Sequence, residues 1–209
     1  MDAEQRSRSN PFGMDEDCRN CDLCERRERV VHGYGDVGAD FLFVGEAPSE
    51  GAERTGIPFT GDERGERFQH ALGLLGLNNS LPTSEQPELE NTYLTNLTRC
   101  RHPERDPEQG EIERCEPFLN AEIRMINPEI IVPVGAAALA EIAVEYTTTP
   151  AEEFSMDDHH ATTNRGRGFA LVPMRDPGEA TDGELREFVS HFESLMASDY
   201  RQTKGRRKR

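Results

Sequence analysis

A glycine, a glutamate and a proline follow the strongest strand pattern in the chain, and they are the residues best placed to do chemistry. The run Phe41-Leu42-Phe43-Val44 is continuously apolar with aromatic and β-branched members, which is typical of a strand buried on both faces in a parallel sheet. The segment Gly45-Glu46-Ala47-Pro48-Ser49 follows it directly. Open α/β sheets bind their ligands at the carboxyl ends of strands, so the pattern predicts that Glu46 lies at a ligand site.

A glycine-rich loop continues from this strand until helical periodicity returns near Phe68. The loop contains Gly51, Gly56, Pro58 and Gly61. It has neither the Gly-Lys-Ser/Thr of a P-loop nor a GxGxxG sequence, so a nucleotide cofactor is not indicated. Because a strand followed by such a loop is also common as plain structure in α/β proteins, the site needs support from elsewhere in the chain.

Two further strand ends carry polar groups. Asn96 lies near the end of the β-rich run 92–98, and Arg175 and Asp176 follow the run 169–172. Asn96 is either a turn-forming asparagine or an amide that reads a base edge, because an amide both donates and accepts hydrogen bonds. Glu46, Asn96 and the Arg175-Asp176 turn are therefore the candidate functional groups of the sheet.

Cysteine spacing predicts a metal centre. Cys18, Cys21 and Cys24 are spaced by two residues, and Cys100 and Cys115 lie far downstream. In a reducing compartment this spacing indicates a metal before a disulfide. A Cys-x2-Cys pair with two distant cysteines suits tetrahedral zinc or a four-iron, four-sulfur cluster, and spacing alone favours zinc because zinc sites are commoner. The alternative is that these cysteines are small buried hydrophobes.

Strand and helix patterns alternate along the chain and predict a three-layer α/β/α fold with a central, mostly parallel four-stranded sheet. The predicted strands are 41–44, 92–98, 130–134 and 169–172, the predicted helices include 67–77, 111–126 and 185–196, and an edge strand or turn is expected between 26 and 38. We expect one domain at 17–200, a flexible arm at 1–16 and a basic tail at 201–209. No internal repeat is visible.

Composition sets the conditions under which such a domain works. The formal net charge is -16, acidic residues number 40, and lysine occurs only at Lys204 and Lys208. This composition is typical of a halophilic protein, since at molar salt the screening length falls to about 3 Å and self-repulsion is weak. Acidity argues against nucleic-acid binding, but less so at high salt. The basic tail at 201–209 either touches polyanions or is a solvated terminus.

Targeting and membrane signals are not found in the sequence. There is no signal-peptide pattern, and no apolar run approaches the roughly 20 residues that span a bilayer. We therefore expect a cytoplasmic protein that does not contact membranes.

The motifs together resemble the family four uracil-DNA glycosylases, the iron-sulfur branch of that superfamily. The resemblance runs from Cys18 to about Val172 in consistent order and spacing. It rests on Gly45-Glu46-Ala47-Pro48, Gly56-x-Pro58-Phe59-x-Gly61, Tyr93-x-x-Asn96-x-x-Arg99-Cys100-Arg101-x-Pro103, Asn127-Pro128-Glu129-Ile130-Ile131 and Gly135-Ala136.

This resemblance implies a cluster and a pocket. Cys18, Cys21, Cys100 and Cys115 fall where the family holds a structural 4Fe-4S cluster, which leaves Cys24 spare. The substrate implied is uracil-containing DNA, from which a flipped base is cleaved by water in a pocket for one pyrimidine. A monomer is expected.

The resemblance also implies a role for each pocket residue. Phe59 would stack on the uracil ring, and Asn96 would pair with its amide edge. Backbone N–H groups of the turn formed by Gly45, Ala47, Pro48 and Ser49 would meet a carbonyl oxygen. Glu46 would orient the attacking water or stabilise the cationic sugar.

The third motif departs from the family pattern. Asp176-Pro177-Gly178 stands where the family has His-Pro-Ser, so a carboxylate replaces the histidine that would hydrogen-bond the leaving base. An ionised Asp176 would repel the developing anion, and Arg175 could supply a compensating cation. Ser49 replaces a glycine of the family, and Arg99 replaces a lysine.

The sequence is consistent with three candidate functions. The first is an active uracil-DNA glycosylase using Glu46, Asn96, Phe59 and Arg175. The second is a catalytically weakened relative that binds uracil-containing or damaged DNA without cutting it. The third is a small metal-bearing scaffold unrelated to DNA. Retention of Glu46, Phe59 and Asn96 favours the first, because backbone donors can also stabilise an oxyanion.

Overall fold

A mixed sheet forms the centre of the computed structural model, which describes residue 5 and residues 7–147, 150 and 153–201. Within these residues the six strands are β1 (Tyr34–Gly35), β2 (Phe41–Gly45), β3 (Thr92–Asn96), β4 (Ile130–Pro133), β5 (Asn164–Arg165) and β6 (Ala170–Leu171). Their order across the sheet is β1-β3-β2-β4-β6-β5. Neighbours among β3, β2, β4 and β6 run parallel, whereas β1 and β5 pair antiparallel at the two edges.

Helices cover both faces of the sheet. They are α1 (Glu50–Thr55), α2 (Glu63–Leu74), α3 (Gln109–Ile126), α4 (Ala136–Tyr146), α5 (Met156–His159) and α6 (Asp182–Met196). Side chains of β2 alternate between the two resulting cores: Phe41 and Phe43 pack with residues of α2 and α6, and Leu42 and Val44 pack with residues of α3 and α4. This alternation is the side-chain period of a strand with both faces buried. The three-layer α/β/α prediction is confirmed.

Three details of the prediction are corrected. The sheet has six strands in the described part of the chain rather than four: β1 falls within 26–38, where an edge strand or turn is expected, and β5 is a two-residue edge strand too short to show periodicity. The glycine-rich loop contains the short helix α1, which begins at a serine cap rather than at an apolar repeat. Helix α2 begins at Glu63 and not near residue 67, because Asp62 caps it.

Part of the arm expected at 1–16 contacts the edge of the sheet. The N–H of Gly35 donates to the carbonyl of Arg8 at 2.9 Å, and that of Asn10 donates to the carbonyl of Gly33 at 3.0 Å. Phe12 lies 5.9 Å from the ring of Tyr93, so the segment packs on the edge of the sheet. Backbone pairing with β1 holds this segment in place. Residues 1–4 and 6 of the arm, and 202–209 of the basic tail, lie outside the described residues.

Among the helices that the structure describes, none combines the length and apolar character needed to cross a lipid bilayer.

Candidate active site at the carboxyl ends of β2 and β3

Glu46 is the first residue after β2, at the edge of the sheet where the parallel strands end. Its backbone is held because the N–H of Thr98 donates to its carbonyl oxygen at 3.0 Å. The side chain is half-buried, and burial raises the pKa of its carboxyl above the ordinary value. The charge of Asp106 raises this pKa further, whereas that of Arg64 lowers it. Glu46 therefore holds a proton more readily than a surface glutamate, which suits a general base.

Asn96 ends β3 directly opposite Gly45 of β2. It is only 2% exposed, and its amide Nδ2 is buried with no hydrogen-bond partner among the described residues. A Cβ atom at Gly45 would lie 2.5 Å from Oδ1 of Asn96, so the amide fits against β2 only because residue 45 is glycine. A buried donor without a partner costs about 1–3 kcal/mol, and a catalytic or ligand-binding role is one of the reasons for which native proteins retain such groups.

Phe59 presents its ring beside this amide. A Cβ at Gly45 would meet its Cζ at 2.8 Å, and on the other side its ring stacks on Phe68 with centroids 4.2 Å apart. Its backbone has a φ of 57°, which is unusual for a bulky residue, and Nε2 of Gln69 donates to its carbonyl at 3.1 Å. Strained backbone of this kind clusters at functional sites, where surrounding contacts maintain it.

Two helix caps order the loop between β2 and α2. Ser49 Oγ accepts from the N–H of Ala52 at 3.1 Å, and Asp62 Oδ1 accepts from the N–H of Gly65 at 2.8 Å. The Ser49 hydroxyl also donates to the Asp62 carboxylate, which joins the two caps. The long loop is therefore a folded wall of the site rather than a connector.

These elements enclose one small pocket. It is lined by Ala47, Ser49, Phe59, Asp62, Arg64, Gly65 and Asn96. Its free volume is about 10 Å³, close to the 10–15 Å³ that one water molecule needs. A pyrimidine is larger than this space, so a base enters only if lining side chains move, and a pocket for one pyrimidine stays a prediction.

Asp176 lies on the turn after β6 and contacts Arg64, a residue of the pocket lining, without lining the pocket itself. Its carboxylate forms an ion pair with Arg64, and its Oδ1 accepts from the N–H of Gly178 at 2.8 Å. Its Oδ2 would lie 3.6 Å from a Cβ at Gly135, which places Asp176 beside the end of β4. The charge of Asp176 also raises the pKa of Glu46, after burial and Asp106. Glu46 and Asp176, which follow β2 and β6, thus lie within electrostatic reach of each other.

Arg175 is engaged elsewhere. Its guanidinium lies 2.7 Å from Asp157 and 2.8 Å from Glu184, both acidic residues of helices α5 and α6. Its backbone N–H donates to Nδ1 of His160 at 2.9 Å, while Nε2 of that ring bonds the carbonyl of Glu184 at 2.9 Å. The turn is fastened by this histidine, and the Arg175 charge is compensated by two carboxylates.

The predicted substrate-binding residues divide into three groups. Ala47, Ser49, Phe59 and Asn96 line the pocket, and Gly45 touches Phe59 and Asn96 from behind. Pro48 is buried beside the cap of α1 and is not part of the lining.

Sequence reasoning missed Asp62, Arg64 and Gly65. An aspartate three residues before a glycine at a helix start is a recognisable cap, so Asp62 could have been found. No sequence signal points to Arg64.

The five cysteines are free thiols. Cys18, Cys100 and Cys115 are buried, and Cys21 and Cys24 are half-buried. Burial raises the pKa of Cys100 to about 12, and it raises the pKa of Cys21 and Cys115; neighbouring thiols raise each of the three further. Cys18, Cys21, Cys100 and Cys115 therefore lie within electrostatic reach of one another. No three His, Cys, Asp or Glu side chains in the described ranges are close enough together to hold a metal ion.

The thiols supply the donor type that a zinc ion or an iron-sulfur cluster requires. The donors are the right kind and number, because soft thiolates bind both groups and no disulfide occupies them. The structure also provides donors to the sulfurs: Nη1 of Arg27 lies 3.5 Å from Sγ of Cys100. The donor type and number suit a four-thiolate centre, whereas the thiols as placed in the described residues are not close enough together to hold one.

Comparison with known proteins identifies relatives of the chain. A family model described as the uracil DNA glycosylase superfamily matches residues 32–194. The type-4 uracil-DNA glycosylase of Sulfurisphaera tokodaii is 38% identical over 119 residues, which are 56% of this chain and 50% of that protein. The type-4 enzyme of Archaeoglobus fulgidus is 35% identical over 136 residues, which are 63% of each protein.

Similarity extends to a second type of the same activity. The type-5 uracil-DNA glycosylase of Mycobacterium tuberculosis is 32% identical over 160 residues, 72% of this chain and 58% of that protein. The chain spans about half the length of the first curated relatives that it matches, at 50% of each.

Proposed function

The chain belongs to the uracil DNA glycosylase superfamily, and on that premise we propose that it removes uracil from DNA by hydrolysing the bond between base and sugar. The reaction requires the nucleotide to leave the base stack, enter a pocket and be read by hydrogen bonds to its edge. The pocket at the ends of β2 and β3 is the site we assign to it.

The buried amide of Asn96 is the observation that carries this proposal. Uracil presents carbonyl oxygens and an N3–H, so an amide can donate from Nδ2 and accept at Oδ1. Cytosine reverses this pattern at two positions, because it has an amino group and an unprotonated N3. The Nδ2 of Asn96 has no partner among the described residues, and a uracil oxygen would supply one. A site of this kind rejects bases that cannot make the bond.

Glu46 is the proposed base of the reaction. The bond between C1′ of the sugar and N1 of uracil breaks, and its electron pair leaves with the base. The oxygen of a water molecule bonds to C1′, and Glu46 takes a proton from that water. The uracil anion then takes a proton from solvent. The carboxylate also stabilises positive charge on the sugar as the bond breaks.

The remaining pocket residues bind the base. Phe59 would stack on uracil, and backbone N–H groups of the turn from Gly45 to Ser49, which includes Ala47 and also Pro48, a residue without an N–H, would meet a carbonyl oxygen. Because the free volume is only about 10 Å³, base binding must displace side chains of the lining. Because moving these side chains adds to the free-energy cost of base flipping, bases that are already unstacked should bind most readily.

DNA must reach this site on an acidic protein with a formal net charge of -16. We propose that the protein works as a monomer in the cytoplasm at high salt, where repulsion from phosphate is screened. Five free cysteines suit a reducing compartment.

We further propose that Cys18, Cys21, Cys100 and Cys115 hold a 4Fe-4S cluster, with structural zinc as the alternative. Either centre would tie the segment around Cys18 to the loop after β3 and to α3, and its role would be structural. Protein prepared without oxygen should be brown and contain iron; colourless protein with stoichiometric zinc would favour the alternative.

A glycosylase assay tests the function directly. The purified protein is incubated at high salt with a single-stranded oligonucleotide containing one uracil, and alkali then converts abasic sites into strand breaks. Breaks at the uracil position are expected with wild type, and Asn96→Asp, which keeps the shape but loses the donor, should abolish them. An uncut oligonucleotide that is nevertheless bound would indicate the catalytically weakened alternative.

A further inference from the structure

Hydrogen-bond donors or a cation can stabilise the negative charge that develops on the departing base, and the turn after β6 presents a carboxylate instead. Asp176 is a carboxylate. Arg175 is paired with Asp157 at 2.7 Å and Glu184 at 2.8 Å on helices α5 and α6, and it does not line the pocket. A cationic side chain in the pocket lining must therefore be another residue.

Arg64 is the cationic residue in the pocket lining. It is the second residue of α2 and lines the same small cavity as Phe59 and Asn96. Its Nε atom is buried and has no hydrogen-bond partner within the described part of the chain. A guanidinium with an unused buried donor beside a base-reading amide is well suited to bind an oxygen of the base.

Asp176 acts on Arg64 rather than on the base. One of its carboxylate oxygens accepts from the N–H of Gly178 at 2.8 Å, and the carboxylate is paired with the Arg64 guanidinium. The stem of Arg64 also packs on this turn, because a Cβ at Gly178 would lie 3.5 Å from its Cγ. Charge compensation removes the repulsion that a lone Asp176 would exert, and the paired geometry keeps the guanidinium at the rim of the pocket.

We propose, resting on the function proposed above, that Arg64 is the catalytic cation that stabilises the uracil anion as it leaves, and that Asp176 is its positioning residue. The charges of Arg64 and Asp176 both act on Glu46, which places the pair within electrostatic reach of the reacting carboxylate.

Leaving-group chemistry provides the test. Single-turnover release is measured for two oligonucleotides that differ only in carrying uracil or 5-fluorouracil. Fluorine makes the departing anion more stable, so 5-fluorouracil needs less help from a cation. Arg64→Gln should lower the rate about 100-fold for uracil, as loss of one transition-state donor does, and much less for 5-fluorouracil. The ratio of the two rates is unaffected by any unfolded fraction.

Matched variants complete the test. Arg67→Gln, one turn along α2, removes a cation that bonds the carbonyl of Ala180 at 2.7 Å, and it should leave the ratio unchanged. Arg64→Lys should recover part of the uracil rate. Asp176→Asn should also lower the rate for uracil more than the rate for 5-fluorouracil, because Arg64 loses the carboxylate that positions it.

Failure of this proposal is distinguishable from failure of the proposed function. If wild type cuts both oligonucleotides but Arg64→Gln slows them equally, Arg64 is not the leaving-group cation. If Arg175→Gln alone changes the ratio, the cation is Arg175. If wild type cuts neither oligonucleotide, the glycosylase function is wrong and this role for Arg64 falls with it.

Discussion

Nη2 of Arg99 lies 2.6 Å from Oε2 of Glu122, and both side chains are only 1% exposed. Nη1 of Arg99 donates to the backbone carbonyl of Asn96, and Glu122 also accepts from the Thr95 hydroxyl at 2.7 Å and the Tyr93 hydroxyl at 3.1 Å. This network fastens the end of β3 to α3. The amide of Asn96 is therefore positioned by a buried ion pair that never touches the pocket.

Breaking this pair should be costly. Glu122→Gln leaves the Arg99 charge buried without its carboxylate, so we expect a loss of about 3–5 kcal/mol in the free energy of unfolding. Denaturant unfolding followed by circular dichroism measures it. Glu116→Gln on the exposed face of α3 is the control and should stay within about 0.5 kcal/mol of wild type. Equal, small effects of the two changes would contradict the structural role of the pair.

The rate of uracil release should fall at low pH because Glu46 must be ionised to act as a base. Burial raises the pKa of Glu46 above its ordinary value of 4.5, so the fall should be centred above pH 4.5. Asp106 raises the same pKa, and Asp106→Asn should shift the fall to lower pH; Arg64 lowers it, and Arg64→Gln should shift the fall to higher pH. Single-turnover rates measured from acid to neutral pH test whether the midpoint of the fall is lower for Asp106→Asn than for wild type, and higher for Arg64→Gln. A profile unmoved by both changes would exclude Glu46 as the titrating group.

The ionised Glu46 carboxylate should also lower the stability of the folded protein at neutral pH. Its pKa is raised in the folded state, so the native protein binds more protons than the unfolded chain and its stability falls as pH rises through the two pKa values. Glu46→Gln should therefore raise the thermal midpoint at pH 7 and not at pH 4, while abolishing uracil release. A midpoint lowered at both pH values would show that the carboxylate is stabilising instead.

Gly45→Ala should damage the pocket more than the fold. The added Cβ would lie 2.5 Å from Oδ1 of Asn96 and 2.8 Å from Cζ of Phe59, so both must shift. We expect uracil release to fall by at least about 100-fold, as misplacement by about 1 Å does. Gly73→Ala in α2 is the control, because its Cβ meets nothing closer than 3.9 Å, and it should stabilise by about 0.4–1 kcal/mol. Full activity of Gly45→Ala would contradict the assigned geometry.

Thermal stability should rise with salt. With a formal net charge of -16, self-repulsion weakens the fold at low ionic strength. Raising potassium chloride from 0.1 M to 1 M shortens the screening length from about 10 Å to about 3 Å, so the thermal midpoint should increase. Chloride is used because sulfate stabilises proteins by exclusion from their surface. A midpoint independent of potassium chloride would contradict a halophilic adaptation.

Much of the fold could be predicted because strands of a parallel sheet are strongly patterned. The apolar run that became β2 and the periodic apolar positions of α6 identify themselves locally. The segment 26–38 could be assigned only as an edge strand or turn, and the edge strand β5 could not be found, since two-residue strands depend on the partner that they pair with. Helix α1 escaped notice because its cap, Ser49, lies in a glycine-rich segment without apolar periodicity.

The candidate site was predicted in part for the same reason. Glu46 and Asn96 follow strand patterns, so their meeting at one sheet edge follows from parallel topology. Arg64 lies in the charged first turn of a helix, so the sequence does not mark it as a site residue. Only its ion pair with Asp176, which is distant in sequence, points to a role in the site. The expectation that Arg175 supplies the cation used chain proximity, whereas its actual partners lie on α5 and α6.

The sequence by itself determined the layered α/β fold, the residue types at the strand ends and the set of cysteines, because these depend on local apolar period and spacing. Only the tertiary structure decided that the pocket is closed to about one water molecule, that Asn96 is held by a buried ion pair, and that Asp176 is compensated by Arg64. Packing and charge pairing between distant segments set those features, since they act through space and leave no period in the chain.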